Sequence, residues 1–316
     1  MMAAQRSDSE SGLLRGDLQR NASLASLTSW RVGGAARQLY RPADRADLIA
    51  FVQQLPLDEP IFWLGLGSNV LIRDGGFAGT VIQTRGALDH LDVRATEDGG
   101  EITVDAGVTC AQLARAAVRA GLAGAAFLAG IPGTLGGALA MNAGAHGHSI
   151  WEFVQSVEVL TRSGDVQIYA PNDFVIAYRN VALRDGAERQ PSAGFLNATL
   201  SFAQGQDDPT MRALLDRRAA TQPIGQATAG STFRNPPDDH AGRLIEACGM
   251  KGVCVGDACI SEQHANFIVN RGHATAADIE RLMERAQRCV RDAFGVQLEP
   301  EVIVIGDALA PAEVSP

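Results

Sequence analysis

The 316-residue chain carries no excess of cations, no long apolar run and no C-x-x-C pair, and each absence closes off a class of function. Its 27 Lys and Arg stand against 36 Asp and Glu, a net charge of -9, whereas gripping a phosphate backbone requires clustered cations. No nucleic-acid partner is expected. No stretch approaches the roughly 18 uninterrupted apolar residues of a membrane-crossing helix. The opening MMAAQRSDSESGLLRGDLQRN is polar where a signal peptide needs an apolar run. A cytoplasmic protein with no membrane contact is the expectation. The five cysteines, at 110, 248, 254, 259 and 289, are odd in number and form no C-x-x-C, so reduced thiols are expected in place of a disulfide framework or zinc knuckle. Histidines 90, 146, 148, 240, 264 and 273 are scattered. His146 and His148 share a loop without a third ligand at zinc-like spacing, and no metal is expected. No repeat of about 20 to 50 residues is present.

What is present is an ordinary globular composition, 46% hydrophobic and 20% charged, in a chain long enough for two or three cored units. Residues 1–18 and 307–316 read as tails from their small and polar content. PIFWLGLGSNVLI (60–72) reads as strand, tight turn, strand. In EITVDAGVTCAQLARAAVRAGLAG a strand leads to a helix opened by a Thr109/Gln112 capping box and closed by Gly121. VEVLTRSGDVQIYA is a hairpin turning at Ser163 and Gly164, and FAQGQDDPTM (202–211) is a candidate linker. MRALLDRRAAT and TAADIERLMERAQRCVRDAFG are helical, the latter with Ile279, Leu282, Ala286, Val290 and Ala293 on one face and Gly295 as the stop. VQLEPEVIVIG alternates like a strand. The fold class is therefore α+β in at least two parts, divided near residue 205.

Two glycine-rich segments stand out: GLGSN (65–69) and GIPGTLGGALAMNAGAHG (130–147), the second with no Lys or Arg. Interspersed Ile131, Leu135, Leu139 and Met141 exclude a flexible linker. Bare backbone among apolar residues serves either close packing of chain on chain or close approach of amides to a ligand, and the residues alone leave both open. Neither segment carries the P-loop lysine pattern, and Val70 stands where a dinucleotide fingerprint needs its third glycine. Amides in such turns can nonetheless hold a diphosphate through backbone dipoles.

Six segments, LTSWRVGGAA (27–36), LGLGSNVLI (64–72), AGIPGTLGGALAMNAGAHG (129–147), AYRN (177–180), AGSTFRNP (229–236) and LEPEVIVIG (298–306), fall in the order and spacing of one family. In them the chain resembles the UDP-N-acetylenolpyruvoylglucosamine reductases, from about residue 12 to 306. The resemblance implies an FAD-binding domain of the vanillyl-alcohol-oxidase type over 19–205, in two α+β halves of about 19–90 and 91–205. A C-terminal α+β substrate-binding domain follows over 206–306. It implies FAD as cofactor, NADPH as co-substrate, a UDP-sugar substrate and a monomer. The flavin would be held by Gly65, Gly67, Ser68, Asn69 and Val70 and by Gly130, Ile131, Pro132, Gly133, Gly137, Asn142, Ala143 and Gly144.

By the same resemblance, hydride reaches the terminal carbon of an enolpyruvyl group and leaves an enolate beside a carboxylate, where preorganised donors lower the barrier most. Arg179 matches the family's catalytic arginine, whose fork suits a carboxylate. Glu301 matches the catalytic glutamate and would carry a proton so as to donate a hydrogen bond. Strand periodicity gives Glu299 the same face, so only the resemblance selects Glu301. Ser231 matches the residue that protonates the second carbon. Taken without the resemblance, Arg179 reads as a surface arginine and Ser231 as a turn residue. Tyr178, Arg234 and Asn235 are expected at the substrate, although Arg234 and Asn235 also suit a turn before Pro236. Three departures are evident: Thr221 stands where many relatives carry lysine, Val181 where serine is frequent, and the short span from Arg179 to Arg217 resembles the subgroup lacking an extra tyrosine-bearing loop. Another FAD oxidoreductase of the same fold, or a non-catalytic flavin or nucleotide-sugar binder, remains the alternative.

Overall fold

The computed structural model describes residues 14–184, 194–207 and 209–309; the expected tails lie outside these residues apart from 14–18 and 307–309. The chain opens with β1 (Asp17–Ser23), β2 (Ala35–Arg41), α1 (Arg45–Gln54), β3 (Ile61–Leu64), β4 (Val70–Ile72) and β5 (Phe77–Gln83). Next come β6 (Leu91–Thr96), β7 (Gly99–Asp105), α2 (Cys110–Arg119), β8 (Leu122–Ala123), α3 (Leu135–Ala140), β9 (Gly144–Ala145) and β10 (His148–Ser149). They are followed by β11 (Val154–Leu160), β12 (Val166–Tyr169), β13 (Phe174–Ala177), β14 (Asn180–Leu183) and β15 (Gly194–Gln204). The last part holds α4 (Met211–Thr221), α5 (Ala241–Ala247), β16 (Cys254–Val255), β17 (Ala258–Ile260), β18 (Ile268–Asn270), α6 (Ala276–Phe294) and β19 (Ile303–Ile305).

The architecture is α+β. A four-stranded sheet in the order β1, β2, β5, β3 pairs β5 in parallel with both β2 and β3. A second sheet runs β12, β11, β15, β7, β6, with β8 on β15, and its strands pair antiparallel. One continuous core lies between them, joining Tyr40, Leu48, Phe51 and Ile82 of the first half to Ile102, Leu113, Leu160 and Leu200 of the second. A separate core in the C-terminal part draws in Trp30, Val32 and Leu71 from the beginning of the chain. Each Val, Leu or Ile so buried contributes about 1.5–3 kcal/mol.

The C-terminal part is fastened to the first sheet by specific polar contacts. Trp30 is fully buried; its indole N–H donates to the Ile268 carbonyl at 2.8 Å, and Asn270 returns a bond to the Trp30 carbonyl at 2.9 Å. Asp74 accepts from the Ala276 and Ala277 amides, each at 2.9 Å, adding an external carboxylate to the capping box of Thr275 and Asp278 that starts α6. Strand β19 closes the chain by pairing in parallel with β4.

Several expectations are corrected. Asp17 and Leu18, assigned to the tail, belong to β1, because Leu18 pairs with Tyr40. Phe202–Gln204 extend β15 into the expected linker, pairing with Gly99, Gly100 and Leu122; Asp208 within that linker lies outside the described residues. On α6 the face is completed by Met283, whereas Ala293 is exposed in the last turn. Only Ile303–Ile305 of VQLEPEVIVIG form a strand. Cys254 and Cys259 are joined by a disulfide with Cα atoms 4.1 Å apart, contrary to the expectation of reduced thiols. They stand opposite each other across a two-residue hairpin turn at Gly256 and Asp257, a local geometry that a search for disulfide frameworks or C-x-x-C does not test. The remaining thiols, Cys110, Cys248 and Cys289, are free. None of the described helices is long and apolar enough to cross a membrane.

Candidate active site

The two glycine-rich segments meet, and both uses of bare backbone occur. Gly67 sits in the left-handed region, φ +61°, where a Cβ would collide with the Leu27 carbonyl; its own carbonyl accepts from Ser29 N at 2.9 Å and Ser29 Oγ at 3.1 Å. A Cβ on Gly65 would strike Thr134 Oγ1, and one on Gly136 would lie 3.1 Å from Ala106. These glycines let chain pass chain. At Gly133 and Gly137, by contrast, a Cβ would meet nothing nearer than Ser68 Oγ at 3.5 Å and Thr134 Oγ1 at 3.9 Å. Both face a cavity of about 1830 Å³, larger than the roughly 300–1,000 Å³ of a single small-molecule pocket and able to take a dinucleotide with a second ligand beside it.

Gly65, Gly67, Ser68, Asn69, Val70, Gly130, Ile131, Pro132, Gly133, Gly137, Ala143 and Gly144 all line this cavity, and Asn142 does not. The backbone of Asn142 and Gly144 instead holds an arginine: Arg179 Nη1 donates to the Asn142 carbonyl at 3.2 Å and Nη2 to that of Gly144 at 3.4 Å. Asn142 Nδ2 donates to the Ala177 carbonyl at 3.2 Å, tying the same loop to the hairpin that bears Arg179.

Arg179 occupies the two-residue turn between β13 and β14 with φ +55°, a conformation that is uncommon and costly away from glycine. Its guanidinium is drawn inward. Nε donates to Glu301 Oε1 at 2.6 Å, and the two side chains are only 17% and 14% exposed. Tyr178, 55% exposed and not among the cavity residues, lies under the Arg179 guanidinium, 4.9 Å from ring centre to Cζ.

Ser231 and Glu301 are brought together by a short antiparallel bridge. The Glu301 amide donates to the Thr232 carbonyl at 2.8 Å, and the Arg234 amide to the Glu299 carbonyl at 2.9 Å. Buried Asn266 clamps this strip, accepting from Phe233 N at 3.0 Å and donating to Phe233 O at 2.8 Å. Ser231, Arg179 and Glu301 line one cavity, and the Ser231 hydroxyl has no hydrogen-bond partner among the described residues. The ambiguity between Glu299 and Glu301 disappears: Glu299 is 73% exposed at the rim, 3.9 Å from Arg234 Nη1, while Glu301 lies inside. There it is paired with Arg179. Arg234 lines the cavity and donates from Nη2 to the Arg179 carbonyl at 3.2 Å. Asn235 does not line it; its Oδ1 accepts from Ala241 N at 3.1 Å and so starts α5.

Three cavity-lining basic residues escaped the sequence reading: His146, Arg217 and Arg218. The double arginine on α4 was the available signal, since Arg212 pairs with Asp216 on the same helix while neither Arg217 nor Arg218 has a carboxylate partner among the described residues. Burial lowers the Arg218 pKa. Thr221 also lines the cavity, but its hydroxyl donates back to the Arg217 carbonyl at 3.0 Å. At another part of the wall, buried Arg162 donates from Nη2 to the carbonyls of Pro56, Leu57 and Glu59 at 2.7–3.0 Å. Among the described residues no group of three or more His, Cys, Asp or Glu is placed to hold a metal.

A glycine-walled cavity of dinucleotide size, with a guanidinium, a carboxylate and a hydroxyl at one place, suits a nucleotide cofactor and an anionic substrate. Comparisons with known proteins agree. Residues 36–169 match the model of an FAD binding domain, and residues 222–305 the C-terminal domain of UDP-N-acetylenolpyruvoylglucosamine reductase. The reductase of that name from Alkalilimnicola ehrlichii is 50% identical over 311 residues, covering 98% of this chain and 99% of its own. That from Legionella pneumophila is 48% identical over 299 residues, covering 93% and 94%. The crystal structure of UDP-N-acetylenolpyruvylglucosamine reductase from Thermus caldophilus superposes with a TM-score of 0.76 at 33% identity, over 92% of this chain and 99% of that one. The chain thus belongs to the UDP-N-acetylenolpyruvoylglucosamine reductase family.

Proposed function

We propose that the chain reduces the enolpyruvyl group of UDP-N-acetylglucosamine enolpyruvate to give UDP-N-acetylmuramate, using FAD and NADPH, as a cytoplasmic monomer supplying peptidoglycan precursors. The observation that carries the reading is the meeting of Arg179, Glu301 and Ser231, from three distant stretches, in a cavity walled by the two glycine segments. The proposed division is a flavin domain over 19–205 and a substrate domain over 206–306. The open wall at Gly133 and Gly137 and the turn at 65–70 fit the flavin, with Asn142, Ala143 and Gly144 at its edge.

When bound, the flavin supplies the hydride that adds to the terminal carbon of the substrate double bond. The electron pair of that bond then moves toward the carboxylate. Arg179 holds the carboxylate and spreads the new charge over its fork. The arriving carboxylate competes with Glu301 for the guanidinium, and Glu301, now beside a second anion, takes up a proton and donates it as a hydrogen bond. Ser231 passes its hydroxyl proton to the carbon next to the carboxylate; an enolate is basic enough to accept it. The serine regains a proton from solvent. Arg234 offers donors to the substrate diphosphate, and Tyr178 stiffens the Arg179 turn.

Purified protein should oxidise NADPH only when the enolpyruvyl nucleotide is present, with a product heavier by two hydrogens in mass spectrometry. NADPH oxidation driven by a different acceptor and not by this nucleotide would transfer the site to another FAD oxidoreductase. Tight flavin binding without turnover would make the chain a binding module.

A further inference from the structure

Two residues beside the cavity share an uncommon backbone and are bonded to each other. Asn142 has φ +42° and Arg179 φ +55°. Asn142 ends α3: its amide donates to the Leu139 carbonyl at 3.3 Å, and the Ala143 amide to that of Ala138 at 2.8 Å. That is the helix stop whose left-handed residue is usually glycine and sometimes asparagine. The stretch from 130 to 147 holds six glycines, yet this position, where glycine costs least, carries a side chain. Its Nδ2 donates to the Ala177 carbonyl at 3.2 Å, and its Oδ1 is buried with no hydrogen-bond partner among the described residues. An acceptor stripped of water and left unpaired is unfavourable. The helix stop needs neither atom.

We propose that Asn142 is the positioning residue of Arg179, holding its turn against the flavin wall so that the guanidinium meets the substrate carboxylate; this rests on the function proposed above. Ala177 and Asn180 are the pair that closes the two-residue turn of Tyr178 and Arg179, so the Nδ2 bond is made at the base of that turn. The return bond, from Arg179 Nη1 to the Asn142 carbonyl at 3.2 Å, fixes the side chain that the turn carries. From the strip beyond Ser231, Arg234 Nη2 donates to the Arg179 carbonyl at 3.2 Å. A strained backbone persists only where its surroundings over-determine it, and Asn142 and Arg234 grip this one from two different segments.

The helix that Asn142 ends also carries Gly137, at the open part of the cavity wall. One side chain therefore registers the guanidinium against the surface proposed for the flavin. Asn142 itself does not line the cavity, and it acts through Arg179. Its effect falls on the half of the reaction in which a substrate carboxylate must be held, and not on the reduction of the flavin by NADPH. A reacting group displaced by about 1 Å can lose about 10² in rate.

The test compares wild type, Asn142→Gly, Arg179→Ala and the double variant, each loaded with flavin, by stopped-flow spectroscopy of the two half-reactions. Asn142→Gly keeps the left-handed helix stop and removes only the side chain. It should retain flavin, accept hydride from NADPH at close to the wild-type rate, and slow reoxidation by the enolpyruvyl nucleotide about 10- to 100-fold. In the Arg179→Ala background the same substitution should slow reoxidation no further, since a residue that acts through the guanidinium has nothing left to position. Reoxidation of Asn142→Gly at the wild-type rate overturns the inference and leaves the asparagine as a helix stop alone. Additive losses in the double variant also overturn it. Loss of flavin, or equal slowing of both half-reactions, overturns it by assigning the side chain to the cofactor wall. In each of these outcomes wild type is still reoxidised by the nucleotide, and the proposed function stands. Wild-type flavin that the nucleotide does not reoxidise overturns the proposed function itself, and the inference with it.

Discussion

Replacing Glu301 by glutamine separates the structural from the chemical role of the ion pair at the centre of the site. The pair is short, 2.6 Å, and its side chains are 17% and 14% exposed. Breaking a fully buried pair costs about 3–5 kcal/mol. Here glutamine keeps an acceptor oxygen for Arg179 Nε, and the Asn142 and Gly144 carbonyls continue to hold Nη1 and Nη2, so the stability loss should be about 1–2 kcal/mol. The chemical loss is larger, because an amide cannot release or recover a proton as the carboxylate arrives. Loss of a preorganised donor at the developing charge lowers a rate by about 10² to 10³, equivalent to roughly 3–4 kcal/mol of barrier. Stopped-flow spectroscopy divides the reaction into reduction of bound flavin by NADPH and its reoxidation by the enolpyruvyl nucleotide. Glu301→Gln should leave the first within about threefold and slow the second by at least about 10². Reoxidation at the wild-type rate would refute the role assigned to Glu301, and equal slowing of both halves would make the residue a structural support.

Other outcomes follow from the same geometry. Ser231→Ala should slow reoxidation by about 10² to 10⁴ without changing NADPH consumption in the first half-reaction, and solvent deuterium should slow wild type more than the variant. Gly67→Ala, at φ +61° against the Leu27 carbonyl, should destabilise the protein by about 2–4 kcal/mol in denaturant unfolding. Gly137→Ala, in α3 with no neighbour inside 3.9 Å, should stabilise the flavin-free form by about 0.5–1 kcal/mol and weaken flavin binding measured by fluorescence; unchanged affinity would move the flavin away from that wall. Replacing Cys254 and Cys259 by serine opens a short loop and should lower stability by no more than about 2 kcal/mol in the chain-entropy account, with turnover unchanged.

Much of the fold was legible because local rules governed it. The Thr109/Gln112 capping box, the Ser163–Gly164 turn and Gly295 as helix stop act within a few residues of chain, and all three are where periodicity and turn chemistry put them. What escaped was non-local. Asp74 caps a helix some 200 residues later, and Trp30 anchors the C-terminal core from the far end of the chain. The strand expected over the last segment shrank because residues before Ile303 bridge to Phe233 instead. In the site, the glycine segments could be singled out by composition, but not divided into packing and cavity glycines. That division depends on whether Leu27, Thr134 or open space stands opposite each one. Glu301 and Glu299 are indistinguishable by period and differ only through their neighbours, Arg179 and solvent. Asn235 illustrates the converse: a polar residue in a functional segment whose side chain is consumed by a helix start.

The central claim is that bare backbone at the cavity wall holds a flavin over which Arg179, Glu301 and Ser231 complete a reduction. Its most direct test is the visible spectrum of the purified protein through one turnover. Flavin absorbance should bleach on anaerobic addition of one equivalent of NADPH and return when the enolpyruvyl nucleotide is added. Flavin that bleaches but stays reduced in the presence of that nucleotide would contradict the account.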